Sequence, residues 1–205
     1  MPSMSSAEIA QVFESVGAIR QGHFVLSSGL HSATYVQCAL VLQYPALAER
    51  LGRELASRLD GLSIETVSSP AIGGIVLGQE VARALPAGLR REPVRAIFAE
   101  RDSAGILTLR RGFSVAVGER VAVIEDVWTT GGSTLETIRV VEEAGGRVVA
   151  VGALIDRSAG EVEFPVPARA LLDLRIESFP EDECPMCRGG GVPVRPGSRH
   201  KRAAP

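Results

Sequence analysis

The chain has 205 residues, 45% of them apolar and 22% charged. That bounds it to one globular domain with at most a small extension, long enough to hide about 70% of its unfolded surface. It excludes a disordered chain, a collagen-like repeat and a disulfide scaffold, and no run of about 18 apolar residues is present to span a membrane. The net charge of −2 hides an asymmetry, because Arg188, Arg195, Arg199, Lys201 and Arg202 fall in a terminal stretch without acids, leaving 17 basic against 24 acidic side chains elsewhere. An acidic body argues against a broad nucleic-acid face. Lys201 is the only lysine, so cation chemistry elsewhere falls to arginine. The start, Met1-Pro2-Ser3-Met4-Ser5, shows no basic region leading into an apolar stretch, so no secretory signal is expected. Three cysteines, Cys38, Cys184 and Cys187, suit a reducing cytoplasm.

In chain order, Ser5 and Glu8 have capping-box spacing, Ile9, Val12, Phe13 and Val16 repeat at helical spacing, and Gly17 closes the segment. A strand over 22–29 and another near 34–37 follow. Pro45 opens a helix carrying Leu47, Leu51, Leu55 and Leu59 on one face, and Gly61 stops it. The pattern then alternates: strand 64–68, helix 74–85, strand 94–99, strand 120–126, helix 132–144 ended by Gly145-Gly146, strand 147–155, and a late strand over 171–176. Strand–helix alternation implies an α/β fold with a central parallel sheet and flanking helices. The stretch 188–205, rich in Gly, Pro and Arg, is expected to be a disordered basic tail.

The most informative segment is Val121-Ala122-Val123-Ile124-Glu125-Asp126-Val127-Trp128-Thr129-Thr130-Gly131-Gly132-Ser133-Thr134. Its four apolar residues make a buried parallel strand, and ligands of open parallel sheets bind at the strands' carboxyl ends. Gly131 and Gly132 let the backbone approach an anion, the next helix aims free N–H groups at it, and the hydroxyls of Thr129, Thr130, Ser133 and Thr134 add donors. No lysine follows the glycines, so this is not the G-x-x-x-x-G-K-[ST] loop, and a phosphate monoester fits better than a triphosphate. Glu125 and Asp126 would repel phosphate, so they are expected to face ribose hydroxyls and a hydrated Mg²⁺.

This segment resembles the 5-phosphoribosyl 1-diphosphate (PRPP) signature of type I phosphoribosyltransferases. Further stretches resemble the orotate phosphoribosyltransferase family in order: Phe24 to Ser32 with Tyr35-Val36-Gln37 its N-terminal hood, Ser69 to Ile75 its diphosphate loop, Phe98 to Asp102 the start of its mobile loop, and Leu154-Ile155-Asp156-Arg157 the strand end whose arginine meets the orotate carboxylate. Relative to the family pattern, lysines are replaced by Ser27 in the hood and Gly73 in the diphosphate loop. Arg101 takes the place of a mobile-loop lysine, Ser103-Ala104-Gly105 shortens that loop, and two stacking aromatics become Tyr35 and Val36.

The resemblance implies a type I phosphoribosyltransferase-like domain over 1–187, with a small hood formed largely by residues 5–43. It implies transfer of phosphoribosyl from PRPP to N1 of orotate in pyrimidine biosynthesis. A phosphoribosyltransferase for another base, such as a purine, or a non-catalytic PRPP-sensing regulator are the alternatives. Glu125, Asp126 and Arg101 are the expected catalytic residues. PRPP would be met by Glu125, Asp126, Val127, Trp128, Thr129, Thr130, Gly131, Gly132, Ser133, Arg101, Ile72 and Gly73, and orotate by Thr129, Arg157, Ser28 and Tyr35. Mg²⁺ would be held mainly through PRPP, near Glu125 and Asp126, with no protein residue assigned as a direct ligand. A homodimer is implied, with the mobile loop reaching the partner's site. The competing readings are a surface ion pair with Asp156 or Glu161 for Arg157 and a solvated face for Arg101. His23 and His31 read as turn residues. Cys184 and Cys187 read as a C-terminal turn, a redox pair or half of a zinc site completed across a dimer, since two sulfurs alone make no tetrahedral site and no nearby histidine completes one.

Overall fold

The computed structural model describes residues 3–26, 28–89 and 92–196. The chain begins with α1 (Ser6–Ser15), whose N-terminus carries the expected capping box: the Ser5 side chain accepts from Glu8 N and the Glu8 carboxylate accepts from Ser5 N. Next come the antiparallel strands β1 (Ile19–Val25) and β2 (His31–Val36), which form a small sheet of their own, then α2 (Ala39–Leu42) and α3 (Pro45–Arg58). The main sheet is built from β3 (Thr66–Pro70), β4 (Arg95–Arg101), β5 (Leu107–Leu109), β6 (Arg120–Trp128), β7 (Arg147–Asp156) and β8 (Ala168–Asp173), in the order β5-β4-β3-β6-β7-β8. All of its pairings are parallel except β4–β5. Three helices complete the fold: α4 (Gly73–Ala84) between β3 and β4, α5 (Gly132–Glu143) between β6 and β7, and the short α6 (Pro185–Arg188) near the C-terminal end.

Two apolar layers sandwich the sheet. On one face Ile9 and Phe13 of α1, Leu51 and Leu55 of α3 and Leu77 and Val81 of α4 pack against Val67, Ala122, Ile124 and Leu154. On the other, Ile138 and Val141 of α5 pack against Val121, Val123 and Val151. Full burial of Leu51, Leu55 and Leu59 along one side of α3 contributes about 1.5–3 kcal/mol each. Coverage on both faces explains why β6 opens with a continuous apolar run rather than an alternating one. No helix among the described residues is long and apolar enough to cross a membrane.

The observed elements differ from the expected ones in informative ways. β6 continues two residues past Asp126, because Val127 and Trp128 pair with Ile155 and Asp156 of β7. The acids therefore lie inside the strand, and the turn that follows is short. The shortened loop after β4 is a tight hairpin into β5, in which Asp102 Oδ1 accepts from Ala104 N and Ile106 N. The late strand starts earlier, at Ala168, as an edge strand with a partly exposed, polar register.

Residues 188–196, expected to belong to a loose tail, are folded back onto the hood: Val194 N donates to His23 O and Val25 N to Val194 O. The rest of that stretch, 197–205, lies outside the described residues, as does Ser27. His31 bridges Phe179, and Ser32 Oγ donates to Glu177 O, so the hood is completed by the C-terminal segment. The same folding corrects the reading of Cys184 and Cys187 as lacking a nearby histidine, because the β1–β2 hairpin carries His23 and His31 to them.

A cleft of about 340 Å³ opens at the opposite, amino edge of the main sheet, lined by Glu65, Glu92, Arg95 and Glu119. Glu119 is already engaged there by Thr66, Arg95 and Ala116 N. The groups described next lie at the carboxyl edge.

Candidate active site

Successive residues of a strand leave on opposite faces, and this separates the two acids. Glu125 turns toward α5, where Thr134 Oγ1 donates to its carboxylate. Asp126 turns toward α4, and a Cβ placed on Gly73 would stand 2.8 Å from Asp126 Oδ1 and 2.9 Å from Cγ. Only a residue without a side chain lets the turn between β3 and α4 lie this close to the carboxylate. Asp126 Oδ1 also accepts from Val127 N at 2.9 Å, and its backbone carbonyl accepts from Cys38 Sγ at 3.6 Å.

Burial pushes the Glu125 carboxyl up to about 7; the Thr134 hydrogen bond opposes this, while the negative charges of Asp126 and Glu136 add to it. Burial also raises Asp126, against the hydrogen bond from Val127 N. Two carboxylates raised by burial at the carboxyl edge of a sheet suit the binding of polyols and cations.

The turn after β6 consists of Thr129, Thr130 and Gly131, with both threonines exposed. Gly131 caps α5 at φ 68°, and a Cβ there would lie 2.5 Å from Val162 Cγ1, so the turn admits only glycine without displacement. The first N–H groups of α5, over Gly132 and Ser133, lack helical partners and face the turn. Thr134 is not part of this cradle: it is buried, and its hydroxyl is committed to Glu125. Trp128 is buried too, stacked 4.7 Å from Phe164, and Val127 packs into the first core layer, so both offer only backbone to a ligand. At the start of α4, on the other side of Asp126, Ile72 is 85% exposed and follows a cis Ala71–Ile72 peptide.

Arg157 follows β7 immediately, and its N–H donates to Trp128 O at 2.8 Å, which ties it to the end of β6. Its Nε is buried without a partner. No ion pair of Arg157 occurs among the described residues, and the Asp156 carboxylate accepts instead from Ser158 N and Oγ. Burial lowers its pKa, and Cys38 and Tyr35 lie close enough to raise it in opposition. The hood residue Tyr35 is thus brought to Arg157. Ser28 is not joined to them: it sits exposed at the hairpin tip, where its hydroxyl accepts from Leu30 N. Arg101 folds back on its own hairpin, donating to Gly105 O at 2.6 Å and pairing with Glu136 at 2.9 Å. The Cys38–Asp126 and Gly73–Asp126 contacts leave no signal in the sequence, because each joins chain segments far apart.

A parallel sheet flanked by helices, with an acid pair and a glycine turn at its carboxyl edge and a hood above, is the architecture of a phosphoribosyltransferase, and the phosphoribosyl transferase domain family matches residues 41–174. The chain is 50% identical over 196 residues to the orotate phosphoribosyltransferase of Pelotomaculum thermopropionicum, across 96% of this chain and 99% of that one. It is 47% identical over 196 residues to the orotate phosphoribosyltransferase of Caldanaerobacter subterraneus subsp. tengcongensis, across 96% of this chain and 99% of that one. The Mycobacterium tuberculosis H37Rv orotate phosphoribosyltransferase, crystallised with inorganic phosphate, superposes with a TM-score of 0.63 at 27% identity, covering 82% of this chain and 95% of that one. The chain belongs to the orotate phosphoribosyltransferase family.

Proposed function

We propose that the protein transfers the 5-phosphoribosyl group of PRPP to N1 of orotate, giving orotidine 5′-phosphate and diphosphate in pyrimidine biosynthesis. The observation that carries this reading is the buried, unpartnered Nε of Arg157 beside Tyr35. A partly buried guanidinium with no ion pair among the described residues calls for a planar anion, and the orotate carboxylate fits it bidentately.

The 5-phosphate rests on Gly131, Gly132 and the α5 N-terminus, with Thr129, Thr130 and Ser133 as side-chain donors. Glu125 and Asp126 meet the ribose diol and favour the positive character that the anomeric carbon gains as diphosphate departs. Ile72 and Gly73 present backbone N–H groups to that diphosphate, and Arg101 supplies charge once it leaves Glu136. The oxygen donors of Glu125 and Asp126 suit a hydrated Mg²⁺ carried largely on PRPP, which would neutralise charge on the leaving group. Orotate N1 bonds to the anomeric carbon as the C1–O bond to diphosphate breaks and the N1 proton passes to solvent or the departing diphosphate, so no covalent nucleophile is required.

The reading includes a homodimer in which the β4–β5 hairpin reaches toward the partner's site, and a cytoplasmic location, which three free cysteines suit. Diphosphate release from PRPP, assayed with orotate, hypoxanthine and uracil in parallel, tests it. Turnover restricted to orotate is expected. Preference for hypoxanthine would move the assignment to a purine enzyme, and PRPP binding without turnover of any base would move it to a sensor.

A further inference from the structure

We propose that His23, His31, Cys184 and Cys187 bind one structural zinc ion that fastens the C-terminal segment to the hood. Nε2 of His23, Nδ1 of His31 and the two Sγ atoms all lie within 4.8 Å of one another. The nitrogen–sulfur separations are 3.5 Å for Cys184 to His23, 3.6 Å for Cys187 to His23 and 3.3 Å for Cys187 to His31. A tetrahedral zinc with Zn–N of about 2.05 Å and Zn–S of about 2.3 Å has N···S edges of about 3.5 Å. The imidazole nitrogens, 2.8 Å apart, need to open by only about 0.5 Å to reach the corresponding N···N edge.

The surroundings set the protonation that a metal requires. His23 Nδ1 lies 3.1 Å from Gly191 O. A carbonyl only accepts, so Nδ1 carries the proton and the Nε2 lone pair faces the cluster. Cys184 caps α6 and is fully buried, and Cys187 follows one turn later, so the C-x-x-C turn aims both sulfurs the same way. Two thiolates and two imidazoles are a soft donor set that selects zinc over magnesium, so this site is not the one that serves PRPP. Four protein ligands leave no open position, which makes the site structural. Binding replaces each S–H bond by an S–Zn bond and releases two protons to solvent, with no change of oxidation state.

The ligands are separated by 161 residues between His23 and Cys184. A cross-link of that span removes much of the unfolded chain's freedom, and it holds the strand that bears Tyr35. The site stands independently of the catalytic reading, since none of its residues touches Glu125, Asp126 or Arg157.

The test is metal analysis of the full-length protein, purified under reducing conditions without chelator and compared with C184S/C187S and H31A. About one zinc per chain is expected in the parent and less than about a tenth in the variants. Because a variant that misfolds loses metal trivially, parent apo-protein is also titrated with Co²⁺. Tetrahedral absorption with thiolate-to-cobalt charge transfer, saturating at one equivalent and displaced by Zn²⁺, is expected. Parent protein that stays free of zinc after refolding with excess metal, shows no cobalt spectrum, or carries a Cys184–Cys187 disulfide under reducing purification would overturn the proposal.

Discussion

Glu125→Gln is expected to stabilise the free protein in alkaline solution while impairing PRPP binding. In the fold the carboxyl is raised from an ordinary 4.5 to about 7, mainly by burial. An acid whose folded pKa lies above its unfolded one takes up a proton on folding, so the wild type loses stability as pH rises from about 4.5 and reaches a plateau above about 7. A shift of about 2.5 units at 1.36 kcal/mol per unit is a penalty of about 3 kcal/mol on that plateau. Glutamine carries no charge at any pH, and its carbonyl still accepts from Thr134, so the variant escapes the penalty. Urea denaturation at pH 8.5 should therefore show the variant more stable by up to about 3 kcal/mol, the gap narrowing to about 1 kcal/mol at pH 5. Asp126, also raised by burial, is present in both proteins, and relief of its repulsion with Glu125 is part of the variant's advantage at high pH. A gap of equal size at both pH values would refute the reasoning, because a packing effect of the amide does not depend on pH.

Arg157→Ala should lower kcat/KM for orotate by tenfold to a few hundredfold, the worth of charge-assisted bonds of about 1.5–3 kcal/mol, while PRPP affinity by calorimetry stays within about twofold; equal losses for both substrates would make Arg157 a structural residue. Gly73→Ala should raise KM for PRPP about tenfold by displacing Asp126, with KM for orotate unchanged, and an unaltered PRPP profile would mean that the close approach has no role in binding. Gly131→Ala, which places a Cβ at positive φ and 2.5 Å from Val162 Cγ1, should cost about 1–3 kcal/mol in thermal unfolding and weaken PRPP binding; a variant as stable as the parent would show that the turn rearranges freely.

What the sequence revealed tracks how local the cause is. The capping box of α1, the proline start of α3 and the glycine end of α5 depend on neighbours within a few residues, and they lie where the pattern puts them. The end of β6 was misjudged because acids and threonines after an apolar run look like loop, whereas pairing with β7 carries the strand through Val127 and Trp128. Thr134 has the position of a phosphate donor, and only the facing of α5 onto Glu125 of β6 shows where its hydroxyl is spent. The histidine–cysteine cluster was hidden most deeply. It needs the hairpin register that sets Val25 against His31, and the return of the chain from Phe179 to Val194 over that hairpin. Neither leaves a mark in composition or period.

The placement of charge also explains how a chain with a single lysine, outside the described residues, manages a substrate as anionic as PRPP. Arg157 lies beside Tyr35 at the end of β7, and Arg101 is held by Glu136 and Gly105 O. At position 73, where the family pattern has a cation, the backbone instead closes onto Asp126. In the proposed reading, charge on the diphosphate falls to backbone N–H groups at the start of α4, to Arg101 once it leaves Glu136, and to a metal ion that PRPP would carry in. A lysine at 73 and a carboxylate in the observed position of Asp126 compete for the same space, so the glycine and the acid form one arrangement. In the proposed reading, it would exchange a fixed protein cation for one that arrives with the substrate. Glu125, whose pKa burial raises to about 7, is about half protonated near pH 7, and a positive partner bound beside it would favour its ionised form.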